Sequence, residues 1–367
     1  MPKPPKKARI LKSAQLAGVR PGFQSWPEIP GCAKSNVYAI HSQLLFTQWM
    51  APAILQRLQL LQLENVLRFA GKNAPFYRDS LKFLDKLPSR GLSEAHFAKL
   101  PILTRQDLQE HGQELTVRSL PASHGTPRTI SRTNSTGQPI KVMTTGLMGI
   151  WDRAMTLRGL EWHGRDASLS NLDISDSLKQ ERKKPGRWSD LPWSGPSTAL
   201  SIDRPIEDLF DDFIRMKPDY LQTRPFILQP FVELSIARGI KPQNLREVCC
   251  QIERLSPEVR DMAEKAWGVP IIDNYSAMEI GIMAHQCPDN YNLHIQSEYV
   301  RLEVLGDDNK PCQAGEVGRI IVTPLHNYQT PLIRYAIGDY AEVGGPCSCG
   351  RSLPVLTRIL GHEKEYR

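Results

Sequence analysis

The first segment whose residues suit ligand binding is a loop-like run of hydroxyl-bearing residues and glycine. It reads Arg-Thr-Asn-Ser-Thr-Gly-Gln-Pro from residue 132 to residue 139. Hydroxyl groups and backbone N–H groups can surround phosphate oxygens in such a loop, because asparagine and glycine tolerate a left-handed backbone. The Gly-Lys-Ser/Thr of a P-loop does not follow, so a solvated polar loop remains an alternative.

A second segment brings an aromatic ring and a carboxylate together after an apolar run. The run from Val269 to Ile272 leads into Asp-Asn-Tyr-Ser-Ala-Met-Glu, which ends at Glu279. Ligands of α/β sheets bind at the carboxyl ends of strands. Tyr275 at such an end suits stacking on a base, and Glu279 suits a divalent cation. An ordinary strand-to-helix turn with a capping acid is the alternative.

The third segment, Pro-Leu-Ile-Arg-Tyr-Ala-Ile-Gly-Asp, ends at Asp339. A carboxylate beside a glycine in an apolar strand suits two hydrogen bonds to a ribose diol. A strand end with an acidic turn would look the same.

A separate set of candidate metal ligands comprises Cys287, His294, Cys347 and Cys349. Zinc prefers thiolates and imidazole, and four such ligands close a structural site. The single residue between Cys347 and Cys349 is a tighter gap than usual, so unmetallated thiols in a reducing compartment are the alternative. We interpret His163 and His285 as ordinary structural histidines, and the remaining cysteines as structural.

The elements that must position these residues alternate between helix-like and strand-like pieces. The pieces are 206–216, 220–222, 225–238, 247–254, 257–267 and 270–275. This rhythm predicts α/β architecture with a largely parallel sheet. A further helix is predicted at 147–161. Between 44 and 67, an amphipathic helix is predicted from the spacing of Ile54, Leu58, Leu61 and Val66.

The pattern changes near the end of the chain. Val300, Leu302 and Val304 alternate with polar residues, and 318–322 is a second strand-like run after a plausible hairpin turn at 306–309. We therefore predict a basic flexible arm at 1–35 and an α/β core at 36–298 with a polar insertion at 164–197. A β-rich subdomain is predicted at 299–367.

The net charge of +7 is concentrated at the start of the 367-residue chain. Lysine and arginine occupy six of the first twenty positions, and Glu28 is the first acidic residue. The remainder is close to neutral, which argues against a nucleic-acid-binding groove on the folded body. No apolar run resembles a signal peptide or a membrane span. The odd cysteine count fits a reducing compartment, so a cytoplasmic protein is expected.

Together the motifs resemble the adenylate-forming (ANL) superfamily, and most closely its phenylacetate–CoA ligase and capsule-synthesis-related branch. The family's phosphate loop, Ser/Thr-Gly-Ser/Thr-Thr-Gly-x-Pro, is similar to Thr133–Pro139. Its Tyr-Gly-x-Ser/Thr-Glu is similar to Tyr275–Glu279, and its Arg-Tyr-x-x-Gly-Asp to Arg334–Asp339. The Cys-x-Cys-Gly-Arg of the branch is similar to Cys347–Arg351, and the resemblance spans about residues 40 to 361.

The resemblance implies the large N-terminal domain of an acid ligase that uses ATP and Mg²⁺. The phosphates of ATP would be cradled by four residues, Thr133, Ser135, Thr136 and Gly137. Tyr275 would flank the adenine, Asp339 would hold the ribose, and Glu279 would bind Mg²⁺; Thr136 and Glu279 would be the catalytic residues. Some members of the branch carry zinc at positions matching Cys287, His294, Cys347 and Cys349.

The implied reaction converts a carboxylic acid to an acyl-adenylate. The acid is expected to be aromatic or otherwise hydrophobic, in a pocket for which Trp151, Trp162 and residues 164–197 are candidates. Coenzyme A or another acceptor would then take the acyl group. The family continues past this point with a mobile lid of about 100 residues that carries a lysine. We expect this chain to lack that lid, so that a separate lid or acceptor protein is a candidate partner.

The sequence also departs from the family pattern. Asn134 and Ser276 stand where the family has glycine, Met278 replaces a hydroxyl residue beside Glu279, and His362 stands where the family usually has arginine. These departures leave an alternative function open, namely a catalytically degenerate nucleotide- or acyl-binding partner in a biosynthetic assembly. A zinc protein that binds RNA or DNA is a third hypothesis, ranked below both.

Overall fold

The computed structural model describes residues 32–132, 140–175, 186–189, 191 and 193–362. The predicted phosphate-loop residues Thr133, Ser135, Thr136 and Gly137 lie outside the described residues, as does the predicted arm up to residue 31.

Nine α-helices are present in these described ranges. They are α1 (Cys32–Thr47), α2 (Pro52–Asn73), α3 (Glu94–Phe97), α4 (Arg105–Glu110), α5 (Gly112–Leu115), α6 (Gly146–Trp162), α7 (Ile206–Met216), α8 (Pro225–Arg238) and α9 (Pro257–Trp267). No helix in the described part of the chain combines the length and the apolar character that crossing a membrane requires.

The strands form a two-stranded hairpin and one twelve-stranded sheet. They are β1 (Arg128–Arg132), β2 (Ile140–Thr144), β3 (Asn171–Ser175), β4 (Gly186–Arg187), β5 (Pro196–Ser201), β6 (Tyr220–Thr223), β7 (Glu247–Gln251), β8 (Ile271–Ala277), β9 (Gly281–Gln286), β10 (Leu293–Ile295), β11 (Val300–Leu305), β12 (Val317–Pro324), β13 (Tyr335–Val343) and β14 (Val355–His362).

The large sheet is mixed, in the order β11-β12-β13-β14-β10-β9-β8-β7-β6-β3-β5-β4. Strands β5, β3, β6, β7 and β8 are parallel to one another. From β8 onward to β11 each strand is antiparallel to its neighbour. The predicted α/β class with a β-rich C-terminal region is therefore confirmed. The parallel part is limited to the half that alternates with helices, because antiparallel strands need no crossover helix.

Three predicted helices have the bounds that the sequence indicates, because capping residues mark their ends. In α9, the Ser256 hydroxyl accepts a hydrogen bond from the backbone N–H of Val259, and Pro257 occupies the first turn. Gly239 ends α8 and Gly268 ends α9, each with a left-handed backbone that suits glycine at this position. Capping chemistry is local, so a sequence alone records it.

The helix predicted between 44 and 67 is present as α2, but the predicted apolar face is wrong for three of its four residues. Ile54, Leu58 and Leu61 are 53, 45 and 52% exposed, and only Val66 is buried. The buried face carries Gln59 instead, whose amide donates hydrogen bonds to the carbonyls of Ser297 and Val300. Leucine lies on both faces of this helix, so spacing alone does not decide which face packs against the core.

Strand β3 lies inside the segment predicted as a polar insertion at 164–197. Leu172 and Ile174 are fully buried, and β3 pairs on both sides, with β5 and with β6. A central strand that is buried on both faces shows no polar–apolar alternation, which explains why the sequence did not reveal it.

Two apolar cores lie on the sheet. One is formed by α7, α8 and α9 against β3, β7 and β8, and includes Phe210, Phe213 and Phe231. The other includes α2, α6 and the strands from β8 to β14. Alternate residues of β7 therefore face different layers: Val248 and Cys250 belong to the first core, whereas Glu247, Cys249 and Gln251 line a cavity beside α6.

Helix α6 approaches β9 closely at Gly159. A Cβ atom at this position would lie 2.8 Å from Cε1 of His285, a ring fixed by hydrogen bonds to Asn274 and to the carbonyl of Met155. We expect Gly159→Ala to lower the free energy of unfolding by about 1–3 kcal/mol, despite alanine's better helix propensity. Denaturant unfolding would measure this effect.

Gly149→Ala is the matched control in the same helix. Its added Cβ would meet no atom within 4 Å, so we expect stability to rise by up to about 1 kcal/mol. Equal effects of the two substitutions would contradict the close approach of Gly159 to His285.

Candidate functional site

The second and third sequence motifs meet through a hydrogen bond between Tyr275 and Asp339. The Tyr275 hydroxyl donates to Oδ2 of Asp339 at 2.8 Å. Tyr275 lies on β8 and Asp339 on β13, and three strands separate these two in the sheet. In a flat sheet they would be four strand spacings apart, about 19 Å. The contact therefore shows that the sheet curls, which brings two motifs that are distant in sequence to one place.

The Asp339 carboxylate has a second partner on the next strand. Nδ1 of His362 lies 3.1 Å from Oδ1 of Asp339 and 3.1 Å from the carbonyl oxygen of Gly338. His362 is the register partner of Asp339 on β14 and is 46% exposed. Each carboxylate oxygen carries two lone pairs, so both oxygens keep capacity for a further donor such as a hydroxyl group.

Glu279 lies in the turn between β8 and β9 and is buried, with 1% exposure. Mg²⁺ usually keeps several of its water ligands and binds through one or two carboxylates. A carboxylate is a ligand type that Mg²⁺ takes, and the expectation that Glu279 binds Mg²⁺ stays a prediction.

The four predicted zinc ligands come together at one point. Their ligand atoms all lie within 4.8 Å of one another. Sγ of Cys287 is 3.7 Å from Sγ of Cys347, and Sγ of Cys349 is 3.3 Å from Nε2 of His294. A tetrahedron with Zn–S of about 2.3 Å and Zn–N of about 2.0 Å has an S–S edge of about 3.8 Å and an S–N edge of about 3.5 Å. The donor set and its spacing therefore fit a zinc ion.

Groups around this four-residue cluster support a thiolate at Cys347 and a neutral imidazole at His294. Burial opposes ionisation of Cys347, but hydrogen bonds from Asn290, from the Cys349 backbone and from Asn292 lower its pKa to about 7. Burial lowers the pKa of His294 to about 4, which leaves the ring neutral at pH 7. Nδ1 of His294 faces the Leu353 carbonyl at 3.5 Å, so Nε2 points toward the thiols.

The two tryptophans expected to shape an acid pocket, Trp151 and Trp162, both pack against histidine rings. The Trp162 ring packs edge-on against His294 and lies 4.5 Å from the Arg351 guanidinium, beside the four-residue cluster. The Trp151 ring stacks on His326 with centroids 3.8 Å apart. The prediction that His285 is an ordinary structural histidine is confirmed, because both ring nitrogens have hydrogen-bond partners.

Sequence patterns did not indicate which residues pair in two buried ion pairs near this region. Arg158 of α6 is fully buried and contacts Glu298, and Arg165 contacts Glu247 at the start of β7. Both pairs join residues more than 80 positions apart. A weak signal was present for Arg158, since it is a charged residue between apolar positions of a predicted helix.

Comparison with solved structures shows that this chain has a known fold. A crystal structure of 2-hydroxyisobutyryl-CoA ligase in the postadenylation state aligns with a TM-score of 0.69 and 19% identity, covering 87% of this chain and 70% of that chain. The chain has the fold of 2-hydroxyisobutyryl-CoA ligase. The fold that the motif resemblance implies is thereby confirmed.

Other structures of 2-hydroxyisobutyryl-CoA ligase agree with this alignment. An open conformation with 2-HIB-AMP and CoA aligns with a TM-score of 0.68, 20% identity and coverage of 86% and 71% of the two chains. The thioesterification state with the same ligands gives a TM-score of 0.68, 20% identity and coverage of 86% and 70%. No protein-family model and no curated protein matches the sequence.

Proposed function

We propose that this chain belongs to the adenylate-forming superfamily and activates a carboxylic acid as an acyl-adenylate. The contact between Tyr275 and Asp339 carries this proposal. It joins the two sequence motifs expected to bind adenine and ribose, in the fold of a protein whose structures contain an acyl-AMP and CoA.

In the proposed reaction, a carboxylate oxygen of the acid attacks the α-phosphorus of ATP. The bond from that phosphorus to the bridging oxygen breaks, pyrophosphate leaves, and the acyl-adenylate forms. Tyr275 and Asp339 would hold the nucleoside, so that the reacting atoms are positioned with little loss of freedom in the transition state. Thr133, Ser135, Thr136 and Gly137 would hold the phosphates, and Mg²⁺ when bound would neutralise phosphate charge, with Glu279 as its proposed ligand.

Coenzyme A is the proposed acceptor of the acyl group. Its thiol sulfur would attack the acyl carbon of the adenylate, the acyl–oxygen bond would break, and AMP would leave. The cluster of Cys287, His294, Cys347 and Cys349 is proposed to hold a structural Zn²⁺. All four positions of a tetrahedral ion would then be filled by protein, which leaves none for substrate.

Asp339→Asn tests the proposed nucleoside site. The amide replaces one acceptor oxygen with a donor, so at least one hydrogen bond to a ribose hydroxyl is lost. We expect the affinity for AMP, measured by titration calorimetry, to fall by about tenfold or more.

The matched control is Glu342→Gln, on the same strand. Glu342 pairs with Arg358 of β14 and its carboxylate is not part of the contact with Tyr275. We expect AMP to bind this variant as it binds the native chain. Equal AMP affinity in the Asp339 variant would contradict the assignment of Asp339 to the ribose.

A second candidate function is nucleotide or acyl binding without turnover. The burial of Glu279 favours it, because the proposed magnesium ligand is enclosed. Acid-dependent exchange of pyrophosphate into ATP separates the two functions. Exchange would support the ligase, whereas AMP binding with no exchange for any acid would support the binding protein.

A further inference from the structure

An apolar patch is exposed on the first two helices. Ile54, Leu58 and Leu61 are about half exposed, and their spacing of four and three residues puts them on one face of α2. Phe46, near the end of α1, is 73% exposed, and Trp49, in the loop that follows, is 50% exposed. We call these five residues the α1–α2 patch.

The two parts of the α1–α2 patch are close to each other. Trp49 and Ile54 are five positions apart, so their Cα atoms are separated by at most about 18 Å. The backbone N–H of Ile54 donates to the carbonyl of Ala51 in the same loop. With their other faces, both helices contact residues 297–298. The five side chains therefore belong to one region of the surface, and an exposed apolar region of this kind marks an interaction surface.

The charged side chain that stands exposed among the patch residues of α2 is basic. Arg57 is exposed and directly precedes Leu58. Glu64, in the same helix, pairs with Arg68, and Glu94, which accepts a hydrogen bond from the helix, pairs with Arg301. Basic and apolar side chains on the exposed face of one helix are typical of helices that lie at a membrane surface.

The sequence leading into the patch carries an excess of positive charge. Residues 1–63 contain eight lysine and arginine residues and one acidic residue, Glu28. Six of the eight basic residues lie within 1–20, outside the described part of the chain, and this segment joins α1 at Cys32. A partner that complements both features must present apolar and anionic groups together.

An anionic lipid bilayer presents both kinds of group. Tryptophan and phenylalanine are favoured at the level of the lipid headgroups, aliphatic side chains enter the acyl boundary, and basic residues bind anionic headgroups. A nucleic acid would use the basic residues but not Ile54, Leu58 and Leu61, because its backbone is read by charged and polar groups. A second copy of the chain would bury the apolar residues but would bring two basic segments together.

We propose that the α1–α2 patch docks on the surface of an anionic lipid bilayer, with the basic residues of 1–20 bound to its headgroups. Apolar contact and charge act together here, because a single weak signal gives only marginal membrane binding. The proposal concerns where the chain acts, and it holds whether or not the proposed chemistry does.

Co-sedimentation of the whole chain with lipid vesicles tests the proposal. Vesicles of phosphatidylcholine alone are compared with vesicles that contain about 30% phosphatidylserine. We expect the partition coefficient to be about tenfold or more higher for the anionic vesicles, and to fall when the salt concentration is raised from about 0.1 M to about 1 M. Absence of binding to the anionic vesicles would overturn the proposal.

Leu58→Gln with Leu61→Gln tests the role of the patch. Both side chains are exposed, so the fold should be unaffected, and we expect the partition coefficient to fall by about tenfold or more. Phe226→Gln with Ile236→Gln is the matched control. These two residues of α8 are also about half exposed, but the exposed Glu233 lies between them, so native binding is expected. Equal binding by both double variants would refute docking through the patch.

Changing the six basic residues of 1–20 to glutamine in the whole chain tests the charge. We expect the preference for anionic vesicles to fall by about tenfold or more, and a retained preference would contradict the role of these residues.

Two further measurements identify a different occupant. Binding to an oligothymidylate without binding to vesicles would overturn the proposal in favour of a nucleic acid. A native dimer that the Leu58 and Leu61 variant dissociates in sedimentation velocity, again without vesicle binding, would overturn it in favour of a second copy.

Discussion

Arg158→Met is expected to lower the free energy of unfolding by about 3–5 kcal/mol. Arg158 is fully buried and donates to both carboxylate oxygens of Glu298, to the side-chain oxygen of Gln296 and to the carbonyl of Leu44. Methionine fills most of the same space but leaves Glu298, with a 9% exposed side chain, as a buried charge without its partner. Urea unfolding monitored by tryptophan fluorescence measures the change.

Two further variants identify the origin of this loss. Arg158→Met with Glu298→Gln removes the stranded carboxylate, and we expect it to recover a substantial part of the stability. Arg57→Met places the same change on the exposed face of α2, where a shift within about 0.5 kcal/mol is expected. A small effect of Arg158→Met would mean that this ion pair does not hold α1, α6 and the segment after β10 together.

Cys347→Ser is expected to abolish zinc binding and to lower the free energy of unfolding by several kcal/mol, on the order of 3 or more. The serine hydroxyl is a poor replacement for a thiolate ligand, and the cluster joins two segments that are far apart in the sequence. Native mass spectrometry with zinc quantification should find one zinc ion in the native chain and none in the variant. Thermal unfolding reports the loss of stability.

Cys312→Ser is the matched control for this experiment. Cys312 lies between β11 and β12, outside the four-residue cluster, so its substitution should leave zinc content unchanged. A native chain without zinc, or zinc retained by the Cys347 variant, would contradict the proposed metal site.

Local signals in the sequence predicted most of the helices, and tertiary contacts determined the rest. Helices α7, α8 and α9 have the bounds predicted from the sequence, because proline, glycine and a capping serine mark where a helix begins and ends. The face of α2 was not predictable in this way. Gln59 is buried only because carbonyl groups about 240 residues away accept its hydrogen bonds.

In the candidate site, too, residue types could be predicted from local sequence, whereas the contacts between them depend on the tertiary fold. Tyr275 and Asp339 were identifiable as motif residues, but their contact depends on the curl of a sheet whose intervening strands come from other parts of the chain. The grouping of Cys287, His294, Cys347 and Cys349 could be predicted from residue types, since few other groupings of cysteine and histidine exist in this sequence. Arg165 and Glu247 gave no such signal, because a pair separated by 82 positions leaves no spacing pattern.

The three-residue strand β10 is a mechanically weak point of the sheet, because it forms few hydrogen bonds with its neighbours. It is paired with β9 through three register positions and with β14 through two, so a load applied across the sheet falls on few hydrogen bonds there. The four-residue cluster crosses this narrow line: Cys287 follows β9, His294 lies on β10, and Cys347 and Cys349 precede β14. A bound metal would cross-link β9, β10 and β14 there, within the antiparallel part of the sheet, where few ladder hydrogen bonds resist separation.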